Sequence, residues 1–178
     1  MSSVTYDIAI EQGATFQLVF FMLPPPTTFV IAPYAELLGQ DAIGSRPASG
    51  NVKGDLWYDA DGLFSSRWSR WTGTAWSNVT PTDITGWSAR MAFRRTYASA
   101  TPVFTLTSPV VAGTGVDLGG VHGSITIRMT AAQTTGLDPT WSGGLSGVYD
   151  LELYDTSSPV VVNRISRGKW VLSVESTR

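Results

Sequence analysis

Three stretches in the last third of the chain decide the fold: Gly123-Ser-Ile-Thr-Ile-Arg-Met-Thr130, Gly147-Val-Tyr-Asp-Leu-Glu-Leu-Tyr-Asp155 and Arg167-Gly-Lys-Trp-Val-Leu-Ser-Val-Glu175. Each alternates apolar and polar side chains. Successive side chains of a strand point to opposite faces, so this alternation marks strands with one face buried and the other wet. Gly, Pro and Ser clusters join the stretches, and a run of small residues, Ala131-Ala-Gln-Thr-Thr-Gly-Leu137, follows the first. Three such strands cannot cover their own apolar faces, so a second sheet is required opposite them.

Working outward, Val4 to Ile10 places Tyr6, Ile8 and Ile10 on one face, and Gln12-Gly13 makes a turn. Ala14 to Leu23 follows with Phe16, Leu18, Phe20 and Met22 on one face, giving an opening pair of strands. Val19 and Phe21 lie on the other face of the second strand, which predicts a cover there too, from the segment that follows or from another chain. Ile84 to Arg94 turns Trp87, Ala89, Met91 and Phe93 one way, with Trp87 expected at the centre of the core. Pro102 to Thr107 reads as a short strand, and Val110 to Gly120 as a Gly-rich loop with a weak strand. Residues 160–175 form the last strand, in which Gly168 predicts a bulge. Ala131–Leu137 is expected to cross between sheets as a short helical turn, with Tyr149 as the aromatic at that corner. About seven strands at this spacing read as an all-β antiparallel sandwich.

Pro24-Pro-Pro26 stops the second strand, because a backbone without donors cannot continue a ladder. From there to residue 83 the pattern changes. The chain therefore divides into residues 1–23 plus 84–178, which build the sandwich, and an insertion at 24–83. Tyr34 to Gly39 suits a helical turn, and residues 44–54 a loop. Gly54-Asp-Leu-Trp-Tyr-Asp-Ala-Asp-Gly62 and Trp71-Thr-Gly-Thr-Ala-Trp76 then predict a three-stranded meander, with turns at Asp61-Gly62 and Thr72-Gly73. Trp57, Trp68 or Trp71, and Trp76 are expected on one of its faces.

Composition narrows the function. Charged residues are 15% of the chain, against roughly 25% in an average domain. That suits a subunit buried against neighbours. A net charge of −2 points to neither nucleic acid nor an anionic membrane. With no cysteine, disulfides and thiolate metal sites are excluded. The N-terminal residues lack a basic, then apolar, leader, which predicts no signal peptide. The apolar run from Leu18 to Pro26 is too short to span a bilayer.

Catalytic, metal and cofactor sites find no support in the pattern. The single histidine, His122, stands in a Gly-rich turn with no second imidazole or thiol to complete a nucleophile–base pair. Asp150 and Glu152 are two apart on a strand and read as a solvated face. Asp59-Ala-Asp-Gly62 fails as a calcium loop, since Gly62 at its sixth position puts Trp57 first and Trp68 twelfth. Gly113 to Gly119 lacks the spacing of a phosphate cradle.

Two groups remain. Trp57, Tyr58, Trp68, Trp71 and Trp76 form either the insertion's own core or a platform on which a host glycan stacks. Arg90, Arg94, Arg95, Arg164, Arg167 and Lys169, half of the twelve cations, form either subunit contacts or an ordinary solvated face.

The order Asp7 to Phe16, Ile84-Thr-Gly-Trp-Ser-Ala-Arg-Met91, Gly123 to Ile127, Ala131 to Thr134, Gly147 to Leu153 and Arg167-Gly-Lys-Trp-Val171 resembles the small immunoglobulin-like proteins of tailed bacteriophages. The likeness covers residues 4–23 and 84–177. The insertion, with Gly54-Asp-Leu-Trp-Tyr-Asp59 and Trp71-Thr-Gly-Thr-Ala-Trp76, resembles a Trp-rich segment of phage tail and fibre proteins. Ser65 to Arg70 lengthens its middle. The resemblance implies an immunoglobulin-like sandwich with an aromatic β insertion, acting as a non-enzymatic tail, baseplate or fibre-attachment subunit. Its partners would be other virion proteins in a symmetric ring, with edges such as 4–10 or 160–175 open to a partner's strand. A receptor- or carbohydrate-binding module and a capsid decoration protein are the alternatives.

Overall fold

The computed structural model describes residues 4–24, 29–32, 56–58, 68–138, 144–155 and 160–173. The chain is all-β apart from one α-helix and a single 3-10 turn among these residues. One sheet begins with β1 (Val4–Thr5) and β2 (Ile8–Glu11), which run parallel to β13 (Val162–Ser173) along the same edge. Antiparallel β12 (Ser146–Tyr154), β8 (Ser88–Arg94) and β9 (Phe104–Thr107) complete it. A four-stranded sheet orders β10 (Gly115–Leu118), β11 (Ser124–Met129), β3 (Phe16–Met22) and β4 (Phe29–Ala32). A small third sheet holds β5 (Leu56–Tyr58), β6 (Trp68–Trp71) and β7 (Trp76–Asn78).

The two larger sheets share one core. The alternation in β12 buries Tyr149, Leu151 and Leu153 and leaves Asp150 and Glu152 on the outer face. Leu18, Phe20 and Met22 of β3 meet them from across, with Ile125, Ile127 and Met129 of β11. The opening strands 4–10 and 16–22 thus pair not with each other but with opposite sheets. Helix α1 (Ala131–Leu137) carries the chain from β11 to β12, as its small residues predict. Thr130 caps its start by accepting the Gln133 amide, and Thr134 accepts the Gly13 amide. The buried Gln12 side chain donates to the Thr135 and Asp138 carbonyls, at 3.3 and 2.6 Å. Those carbonyls belong to the helix end, where no intrahelical donor remains.

Several expectations are corrected. Trp87 is only half-buried, at the margin of the core. The central indole is Trp170, packed edge-on against Phe93 and Phe104, with its Nε1–H donating to the Arg94 carbonyl at 3.2 Å. It lies directly across from Gly147, whose missing side chain leaves room for the indole: a Cβ there would meet the Arg94 carbonyl and lie 2.8 Å from Nε1. Tyr149 does not serve the helical corner. Its hydroxyl donates to the Tyr6 carbonyl at 2.6 Å and lies 3.0 Å from Ser166 Oγ. The bulge in β13 falls at Ile165, between the Leu151–Ser166 and Glu152–Arg164 pairs. Gly168 has another reason: a Cβ there would strike the Tyr6 carbonyl, where the first strand breaks into β1 and β2. Nor is 160–175 an open edge, since β13 has β12 on one side and β1 and β2 on the other.

The insertion leaves and returns at one place, because the Thr82 amide donates to the Met22 carbonyl at 2.9 Å. Within it β4 adds a strand beside β3, which the sequence reading missed. The expected helical turn at 34–39, the loop at 44–54 and the turn at Asp61-Gly62 lie outside the described residues.

Candidate functional site

The aromatic meander exists, and its register sorts the tryptophans by face. Tyr58 pairs with Trp68, Trp57 with Ser69, and Trp71 with Trp76. Alternation then sets Trp68 and Trp71 on opposite sides, and of the two alternatives it is Trp71 that shares a side with Trp76. Trp68 is buried against the outer face of β3. Its ring lies 5.1 Å from that of Phe21 and 4.8 Å from that of Tyr58, all three tilted or edge-on. Val19, Leu23 and Val79 close this second core, with Leu56 packed beside it. The apolar face that β3 turns away from the main core is therefore covered by the insertion. Arg70 secures the junction, donating from Nη2 to the Pro24 carbonyl at 3.0 Å.

The other side of the small sheet carries Trp71 and Trp76 as a half-buried T-shaped pair, 5.5 Å apart. Trp57 occupies the register position across from Ser69 on that side. Ser69 Oγ donates to Asn78 Oδ1 at 3.3 Å. The Thr72-Gly73 turn is held by the Thr72 amide on the Ala75 carbonyl at 2.8 Å, with Gly73 at a positive φ of 105°. Of the five aromatic candidates, Tyr58 and Trp68 are core, whereas Trp71 and Trp76 line the outward side.

The cations gather on the outer face of β8, β12 and β13. The register builds three columns: Arg90 and Arg94 on β8, Glu152 and Asp150 on β12, and Arg164, Arg167 and Lys169 on β13. Glu152 is held from both sides, by Arg90 at 2.7 Å and Arg164 at 3.6 Å. Arg94 meets Asp150 at 3.2 Å, and the Arg90 guanidinium also lies over the Tyr154 ring, 5.7 Å from its centre. Ala92 forms the floor of a shallow depression of about 360 Å³ between Arg90, Arg94, Asp150 and Glu152. Arg95 is exposed just beyond the end of β8, outside the columns. The sequence grouped these residues only as two cationic segments. It did not reveal that both flank one acidic column, because that depends on strand order.

His122 is exposed in the 3-10 turn Gly120–His122. No cluster of three or more potential metal ligands occurs among the described residues. Tyr149 and Asp83 have displaced acidities. Burial pushes the Tyr149 phenol up to about 12, against the lowering effect of Ser166. The Thr85 side chain and amide hold the Asp83 carboxyl below its usual value. The chain matches no protein-family model, and no curated protein shows significant similarity to it.

Proposed function

We propose that this chain is a non-enzymatic structural subunit of a tailed bacteriophage particle, an adaptor of the tail, baseplate or fibre attachment. The observation that carries the reading is the way the insertion is mounted. Trp68, Phe21 and Tyr58 fix the small aromatic sheet on the back of β3, while Trp71 and Trp76 stay on its outward side. One folded unit thus offers two stiff surfaces, the aromatic one and the charged outer face of β8, β12 and β13. Holding two partners at a set spacing is what an adaptor must do.

The strand order supports an immunoglobulin-like sandwich. Strands β3, β11 and β10 take the places of B, E and D, and β8, β9, β12 and β13 those of C, C′, F and G. The first strand lies parallel to the last, and β4 fills the place usually beside B. The sequence resemblance to phage proteins of this class supports the location. A side-chain-resolution map of purified particles tests it. We expect this chain in the tail region, with neighbours seated on Trp71 and Trp76; a particle without the chain overturns the reading, and a position on the head makes it a decoration protein.

A carbohydrate-binding role has one observation in its favour: the half-open indoles of Trp71 and Trp76 share their side of the small sheet with the exposed Asn78, next to the exposed turn residues Thr72 and Thr74. Host-glycan binding that is lost in a Trp71→Ala, Trp76→Ala variant with unchanged fold would select this reading instead.

A further inference from the structure

We infer that the outer face of β13 docks an extended acidic segment of a partner protein, one with carboxylates at alternate positions and an apolar side chain next in the alternation. Along this strand Arg167, Lys169 and Val171 face outward, while Gly168, Trp170 and Leu172 are buried. Side chains two apart leave a strand about 7 Å from each other. An extended partner chain has the same spacing at its own alternate positions. Two carboxylates and an apolar group would therefore meet cation, cation and valine in turn.

The ion pairs divide the cations of this face into two sets. Arg90, Arg94 and Arg164 are taken up by Glu152 and Asp150. Arg95, Arg167 and Lys169 make no side-chain ion pair among the described residues. Asp150 stands across from Arg167 in register, but its carboxylate meets Arg94. Val148 follows between Lys169 and Arg94, so the acidic column ends there. Beyond it lies a shallow depression of about 420 Å³, bounded by Arg95 and Lys169 and by Ser146, Val148 and Val171. Val171 is 42% exposed. Asp7 is the acid at this rim, and its Oδ1 accepts the Lys169 amide at 2.7 Å. Three exposed cations thus surround an aliphatic floor with one carboxylate beside them, which an acidic segment complements in charge. The surface is preformed, because β13 is paired on both sides and Trp170 anchors it from below, so little ordering is needed on binding. Among the described residues around the depression the aromatic one is Trp170, which is buried. No ring face is open there for a base or a sugar to stack on, whereas valines suit an aliphatic side chain.

The binding stands on the purified chain alone; only the partner's place in a particle rests on the proposed function. A fluorescein-labelled peptide of repeated Glu-Ser-Glu-Ser-Val-Ser units tests it against the full chain, by fluorescence polarisation at salt of about 0.02 M, where screening is weak. We expect saturable binding. Arg167→Gln with Lys169→Gln should weaken it at least about tenfold, through the loss of two charge-assisted contacts. Val171→Ser, or Ser in place of each Val of the peptide, should weaken it about threefold to tenfold. Arg128→Gln, on the opposite sheet, should change it by less than about twofold. Circular dichroism melts identify variants that have lost their fold, and those are replaced by Arg95→Gln, outside the strands, which should also weaken binding. Absence of saturable binding overturns the inference. So does binding that the folded variants retain, an equal loss in Arg128→Gln, or a peptide without Val that binds as tightly. Tighter binding of a single-stranded oligonucleotide of equal charge overturns it as well and makes the face a polyanion site. The particle map fails or succeeds independently of all of these.

Discussion

At the scale of single residues, the fold depends on a few polar and glycine positions that join strands distant in sequence. The Tyr149 hydroxyl ties the first strand to the last two through the Tyr6 carbonyl and Ser166. Tyr149→Phe keeps the ring and deletes those bonds, so unfolding by urea should show a loss of about 1–2 kcal/mol, the range for stranding a buried partner. The same phenol predicts a pH effect. Its folded acidity lies at about 12, above the ordinary value of 10.0, so both states hold the proton below pH 10 and stability is fully present there. Between pH 10 and 12 only the unfolded chain releases it, and stability falls through that window. Tyr149→Phe should flatten this part of the stability–pH curve; an unchanged slope would show that another group causes it. Gly147 makes a steric prediction. A Cβ would collide with the Arg94 carbonyl, so Gly147→Ala should cost about 1–3 kcal/mol and disturb the near-ultraviolet signal of Trp170.

At the scale of elements, the two tryptophan classes of the small sheet should behave differently. Trp68 fills the second core with Phe21 and Tyr58, so Trp68→Ala should weaken docking of β5, β6 and β7 by about 3–5 kcal/mol. Trp71→Ala removes only one half of a half-buried pair, worth about 0.5–1.5 kcal/mol beyond its area. Hydrogen exchange separates the outcomes. Trp68→Ala should speed exchange at 68–78 and spare β12, whereas Trp71→Ala should leave both nearly unchanged. This distinction was partly legible. The alternation of β12 and the double-sided apolar run of β3 foretold which side chains are buried and that both faces of β3 need cover. The face assignment of Trp68 and Trp71 also follows from their separation of three, once both belong to one strand. What could not be read was pairing. The Gln12 amide meets carbonyls more than 120 residues away, and Trp170 rather than Trp87 becomes central because Gly147 stands across from it. Likewise β4 pairs with β3 although three prolines separate it from the strand before.

At the scale of the whole molecule, the insertion is an appendage in sequence but part of the core in space. It starts and ends beside one hydrogen bond, between the Thr82 amide and the Met22 carbonyl, so a short linker from Pro24 to Pro81 could replace residues 25–80 without stretching the sandwich. Backbone geometry thus permits the deletion, and solvation opposes it. Removing the small sheet uncovers Val19, Phe21 and Leu23, each worth about 1.5–3 kcal/mol of burial. Their sum is a large fraction of the roughly 5–15 kcal/mol that holds a domain folded. Removing β4 also makes β3 an apolar edge strand, the kind that pairs with other chains and aggregates. The shortened chain should therefore be insoluble or bind a hydrophobic dye such as ANS. Adding Val19→Thr, Phe21→Thr and Leu23→Thr keeps strand-compatible side chains while removing the apolar face, and should restore a soluble protein with a cooperative thermal transition. The inner side chains Leu18, Phe20 and Met22 are untouched, so the main core has no reason to fail. If the unsubstituted deletion is instead soluble and as stable as the full chain, the cover over β3 contributes nothing to folding, and the aromatic sheet is retained for its outward side alone.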